Sequence, residues 1–194
     1  MVVRRLRTTF LPMTICSEWL ELIPMSADFL RASLRRDTAA AEGLIQASVP
    51  MDWPDISDVL AFFLRKLENE PSLEPWLMRG MVLRSSRTMI GHIGFHSAPG
   101  ADYLQPFSPA GVEFGFTVFP PFRRRGYARE ASQALMDWAR EVHGVQSFVL
   151  SISPDNIASQ ALAARLGFVR IGSHMDEEDG LEDILERRCS ANPP

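Results

Sequence analysis

Residues Gly111 to Val118 (GVEFGFTV), closed by Pro120-Pro121 and followed by Phe122 to Ala128 (FRRRGYA), decide the fold. The first eight alternate cleanly. Val112, Phe114, Phe116 and Val118 share one face of a strand, while Gly111, Glu113, Gly115 and Thr117 share the other. A helical pattern starts directly after the loop, with Ala131, Leu135, Trp138 and Val142 on one face and Arg129, Gln133, Asp137 and Arg140 opposite. A helix start leaves backbone N–H groups without partners and adds roughly half a positive charge from the dipole. Three arginines, Arg123, Arg124 and Arg125, beside such a terminus suit a diphosphate or similar anion. Gly126 removes the side chain where backbone must approach that ligand closely.

The second face of the strand is nearly bare, and bare glycine on a strand marks close approach by a ligand or another backbone. Glu113 sits on that face beside open space. Two readings stand: a surface glutamate on an edge strand, or a carboxylate facing a ligand.

Downstream, Ser147 to Ser153 (SFVLSIS) reads as a strand of period two. Pro154-Asp155-Asn156 turns into a helix over Ile157 to Leu166, closed by Gly167 as a left-handed cap. Phe168 to Ile171 and Leu181 to Arg187 supply two more strands. Upstream, Trp19 to Pro24 forms a short strand, Ser26 caps a helix from Ala27, and Asp37 caps another through Ala47. Asp55 to Glu70 is an amphipathic helix whose apolar stripe runs through Val59, Phe62, Phe63 and Leu67. Pro75 to Arg84 and Thr88 to Ser97 pair as strands across a Ser85-Ser86-Arg87 turn. His92 and His96 share a face of the second, but four strand residues span about 13 Å, too far for one metal ion. Pro99 to Pro109, with three prolines, is a loop that either shapes a pocket or merely connects.

At 194 residues the chain fits one domain, with residues 1–17 as an N-terminal arm and 18–190 as the domain proper. A protein of this size buries roughly 70% of its unfolded surface, enough for a self-sufficient core. Twenty basic against 24 acidic residues leave a net charge of −4, which argues against a broad nucleic-acid footprint. Cys16 and Cys189 lie far apart without CxxC spacing, so neither a disulfide framework nor a zinc cluster is expected, and a single bridge would need an oxidising compartment. No uncharged run reaches about 18 residues, so no membrane association is expected and the location is read as cytoplasmic.

Glu113 to Phe116 (EFGF), Arg123 to Ala131 (RRRGYAREA), Asn156 to Ser159 (NIAS) and Arg165 to Phe168 (RLGF), in this order, resemble the GNAT superfamily of acyl-CoA N-acyltransferases. Arg123 to Ala128 matches that superfamily's R/Q-x-x-G-x-G/A loop. The order and spacing look most like the branch of ribosomal-protein N-terminal alanine acetyltransferases. The resemblance implies a mixed α/β (α+β) fold: a mostly antiparallel twisted sheet of about seven strands flanked by helices.

It also implies acetyl-CoA as cosubstrate, a primary amine as acceptor, direct attack on the acetyl carbonyl, and no metal. On this resemblance Arg123, Arg124, Arg125, Gly126, Tyr127 and Ala128 would hold the pyrophosphate, with Phe116 and Val118 of the central strand also binding the cosubstrate. A backbone amide of that strand would steady the oxyanion. Asn156 would contact the pantetheine arm and Ser159 would lie near the thioester sulfur. Glu113 would take the amine proton, a role that asks for a pKa raised by partial burial, with His96 in reserve as base. Many relatives carry a tyrosine, the acid for the leaving thiolate, where this chain has Ala163; Ser159 or water would then serve.

Two other readings accompany this one: a non-catalytic acyl-CoA-binding or regulatory protein on the same scaffold, and a nucleic-acid binder through Arg123 to Arg125. For the acceptor, Asp176 to Asp179 (DEED) either attract a cationic amine or form a solvated turn. Either a monomer or a homodimer is expected.

Overall fold

A computed structural model describes residues 14–54, 56–176 and 180–189. Among the described residues eight strands form one sheet in the order β1-β2-β3-β4-β5-β6-β8-β7. They are β1 (Ile15–Cys16), β2 (Leu20–Pro24), β3 (Met78–Leu83), β4 (Thr88–Phe95), β5 (Gly111–Val118), β6 (Ser147–Ile152), β7 (Val169–Asp176) and β8 (Gly180–Arg188). Five α-helices accompany them among the described residues: α1 (Ala27–Leu34), α2 (Thr38–Ile45), α3 (Ser57–Asn69), α4 (Tyr127–His143) and α5 (Ile157–Arg165). The expected sheet of about seven strands gains β1, where Ile15 and Cys16 pair with Leu22 and Glu21. The rest of the expected arm, residues 1–13, lies outside the described residues, as do Glu177, Glu178 and Asp179 of the acidic cluster. Both cysteines are free thiols.

Every neighbouring pair is antiparallel except β5 and β6, which run parallel and are connected through α4. Two cores cover the sheet. On one face α4 places Ala131, Leu135, Trp138 and Ala139 against Val112, Phe114 and Phe148. On the other, α1, α2 and α3 pack Phe29, Leu30, Ala41, Leu60 and Phe63 onto Met78, Val82 and Met89. Capping follows the side-chain chemistry: Ser26 accepts from the Phe29 N–H and Asp37 from the Ala40 N–H, each satisfying one orphan donor.

In α3 the buried stripe is Leu60, Phe63 and Leu67, while Val59 and Phe62 stay exposed. The expected stripe is thus rotated, because Leu60 lies on the same face as Phe63 and Leu67 one turn apart. Val142 of α4 is likewise exposed, and Met136 and Ala139 complete that helix's buried face. No helix among the described residues is long and apolar enough to cross a membrane.

Candidate active site

The parallel pair opens into a wedge. β5 and β6 are in register only at Gly111–Ser147, Val112–Phe148 and Glu113–Val149. Beyond Glu113 the strands have no ladder between them. On its other side β5 stays paired with β4, where the His96 N–H donates to the Glu113 carbonyl and the Phe119 N–H to the Ile90 carbonyl. Antiparallel alternation therefore turns the backbone of odd-numbered β5 residues toward β4 and that of even-numbered ones toward the wedge. Phe116 and Val118 face the gap, and the Val118 carbonyl accepts from Arg123 Nε at 2.8 Å.

The carboxyl ends of β5 and β6 feed α4 and α5, so both helices begin at the open end of the wedge. At α4, Gly126 is the N-cap in the left-handed region, φ 88°, and no side chain caps the helix. The first helical bond runs from the Glu130 N–H to the Gly126 carbonyl. The N–H groups from Gly126 to Arg129 are thus left with no acceptor inside the helix, an anion cradle of backbone donors. Arg124 is also left-handed, φ 60°, the kind of turn from which backbone anion-binding concavities are built. All three arginines are exposed, and Arg123 braces the end of β5 while Arg125 lies over the Phe122 ring at 5.9 Å. Tyr127 is half-buried and meets Trp19 edge to face at 6.2 Å, and Ala128 packs partly on the core.

At α5, the Asn156 carboxamide oxygen accepts from the Ser159 N–H at 3.2 Å, so that oxygen serves as an N-cap. Ser159 is half-buried in the first turn. Ala163, at the position of the relatives' tyrosine, is 0% exposed within the α4-side core, leaving no hydroxyl there.

Glu113 departs from the reading of open space beside it. It is 5% exposed, and its face is filled by neighbouring side chains. His96 places Nδ1 3.4 Å from Glu113 Oε2 and lays its ring across Gly115, where an added Cβ would stand 2.9 Å from Nε2. Gly111 is bare for a similar reason: a Cβ there would meet Ser108 Oγ at 2.4 Å. The glycines of this face thus admit side chains of the protein itself.

Burial pushes the Glu113 carboxyl up, but His96, then Ser151 of β6 and the Tyr103 phenol, all bonding to the carboxylate, outweigh it. The net displacement is below the ordinary carboxylate range, contrary to the elevated value that a general base asks for. Burial and the nearby Glu113 charge in turn raise the Tyr103 hydroxyl above its ordinary value.

Tyr103, Ser151 and Lys66 had no periodic or motif signal, although the loop that carries Tyr103 stood out by its prolines. That loop is held down firmly. Leu104, 2% exposed, packs with Val149 and Ile184, and Ser108 donates to Glu186 Oε1 at 2.6 Å beside Ser147. Lys66 of α3 closes the other side, its Nζ donating to the His96 carbonyl at 2.8 Å. Ser159 is not among Glu113's partners, so the two expected catalytic residues are not brought into contact.

His92 instead packs among the rings of Trp53 and Phe119. No metal-binding group of histidines, cysteines or carboxylates occurs among the described residues. A groove of about 920 Å³ runs along α4 between Ser17 and Arg187 and touches the basic loop at Arg125 and Gly126, and Glu113 does not line it.

Comparison with known proteins agrees with this architecture. A family model described as an acetyltransferase (GNAT) domain matches residues 20–169. An N-acetyltransferase of Bacillus subtilis strain 168, YjdG, is 27% identical over 123 residues, covering 61% of this chain and 67% of that protein. Among solved structures, the ribosomal-protein-S5-alanine acetyltransferase of Vibrio fischeri is 15% identical with a TM-score of 0.61, covering 94% of this chain and 100% of that one. RimL, a ribosomal L7/L12 alpha-N-protein acetyltransferase solved with coenzyme A, is 19% identical with a TM-score of 0.61, covering 91% of this chain and 98% of that one. At these identities the likenesses in structure concern the fold.

Proposed function

The chain belongs to the GNAT acetyltransferase family, and on that premise we propose that it moves an acetyl group from acetyl-CoA to a primary amine by direct attack. The observation that carries this reading is the wedge. Strand backbone left without a ladder lies between two helix N-termini, and an ionised carboxylate with an imidazole sits at its vertex.

The amides from Gly126 to Arg129, with Arg124 and Arg125 nearby, would hold the pyrophosphate, while Arg123 fixes the strand end from which that loop departs. The wedge-facing backbone of Phe116 and Val118 would receive the pantetheine arm and polarise the carbonyl oxygen. Asn156 would act by setting the first turn of α5, and Ser159 stands nearest in sequence to serve the departing sulfur. The Glu113–His96 pair is the proton sink. Peptide N-termini lead among acceptors, since solved structures of like fold include acetyltransferases of ribosomal proteins.

The second reading, a non-catalytic acyl-CoA binder, draws on Ala163 and its lack of a hydroxyl. One experiment separates them. Acetyl-CoA is titrated calorimetrically, and thiol release is followed with alanine- and serine-starting peptides, polyamines, aminoglycosides and free amino acids. Binding with turnover of one amine class supports the transferase. Binding without turnover of any supports the binder, and absence of binding overturns both.

A further inference from the structure

We infer that His96, through Nε2, is the group that touches the acceptor amine, and that Glu113 is its positioning residue. The division rests on the acetyl-transfer reading above and on five observations. The Glu113 side chain is 7% exposed and that of His96 44%, so an incoming amine meets the imidazole before the carboxylate. Nδ1 faces Glu113 Oε2 at 3.4 Å, an arrangement that places the ring proton on Nδ1 and leaves Nε2 as acceptor. Nε2 lies over Gly115, the β5 residue just before the wedge-facing Phe116 backbone, so it stands beside the expected reaction centre. The pair is held from three elements: Glu113 on β5 meets the imidazole, the Tyr103 phenol bonds Glu113, and Lys66 of α3 donates to the His96 main-chain carbonyl. The carboxylate is already occupied by donors, and a base with so many partners is a weak one.

The chemistry balances. The amine nitrogen forms a bond to the acetyl carbon as the C–S bond breaks, and the electron pair of that bond leaves on sulfur. The proton lost by the amine goes to Nε2, and Glu113 steadies the imidazolium as a buried carboxylate does for histidine in hydrolase triads. The imidazolium then returns its proton to solvent while the thiolate is protonated from solvent, giving amide and free thiol.

Two measurements test the division. In the first, nitrogen-15 NMR of the full chain at pH 8 reads the His96 tautomer without reference to turnover. A proton on Nδ1, with the preference lost in Glu113→Gln, supports the proposal; a proton on Nε2 overturns it. In the second, His96→Ala and Glu113→Gln are compared in thiol release with whichever amine the wild type turns over. Removal of a general base costs about 10²–10⁴-fold, so His96→Ala should fall in that range and recover in part with added imidazole. Glu113→Gln, which loses the tautomer that keeps Nε2 an acceptor, should also fall, by up to about 10⁴-fold, and gain nothing from imidazole. Activity of His96→Ala near wild type overturns the proposal. Absence of turnover in the wild type with every amine counts against acetyl transfer itself, and the tautomer then decides the division alone.

Discussion

Gly115→Ala places one methyl group where the proposed base lies. The new Cβ would stand 2.9 Å from His96 Nε2, closer than real Cβ contacts come. Ordinary contact begins at 3.4 Å, so the imidazole must retreat by about half an ångström. Gly115 carries no positive φ, and the offending atom is the tip of a side chain, so the backbone is not strained and stability should change by about 1 kcal/mol or less. Misplacement of a reacting group by about 1 Å can cost roughly 100-fold, so half that distance predicts a loss of about tenfold in kcat. The Gly115 backbone bonds toward β4, not the wedge, so acetyl-CoA affinity should hold within about twofold. Steady-state thiol release, calorimetry with acetyl-CoA and thermal unfolding read the three quantities separately. An unchanged kcat would refute a role for the His96 position, and a loss confined to acetyl-CoA affinity would show that the β5 face was assigned wrongly.

Gly126→Ala meets no steric neighbour, but φ of 88° costs a side chain about 1–2 kcal/mol, so the amide cradle should distort. We expect acetyl-CoA affinity to fall by about tenfold by calorimetry, with kcat at saturation little changed. Ala163→Tyr adds a phenol at a position with no exposure, and overpacking of about 3 kcal/mol or more should lower the urea midpoint without raising turnover. Glu186→Gln weakens the clasp on the Tyr103 loop and should cost about 2 kcal/mol at pH 7. Burial pushes the Glu186 carboxyl up, but Ser108, Ser147 and Arg188 together hold it below its ordinary value. Its stabilisation is therefore present above the unfolded carboxylate range and lost as pH falls through the native one. Between pH 7 and pH 4 the urea midpoint should fall further in the wild type than in the variant.

The strand, basic loop and helix start on one side of the wedge were legible because they are local. Alternation from Gly111 to Val118, prolines that stop the strand, and Gly126 before an amphipathic helix are all short-range signals. The turn into α5 at Asn156 was legible too, and the Asn156 oxygen accepts from the Ser159 N–H there. The vertex was not. His96, Tyr103, Ser151 and Glu113 come from four separate segments, and only the β4–β5 and β5–β6 registers and the anchored loop bring them together. The bare face of β5 misled for the same reason, since side chains distant in sequence fill it. Burial alone would have raised the Glu113 carboxyl; its partners, invisible to spacing, set the opposite direction.

Product identification tests the central claim most directly. The purified chain is incubated with acetyl-CoA and the amine panel, and mass spectrometry follows N-acetylated product alongside free thiol. Acetyl transfer predicts one amide formed per thiol released, with one acceptor class far ahead of the others and little thiol without an amine. Thiol released at the same rate with and without amine, and no amide, would contradict it.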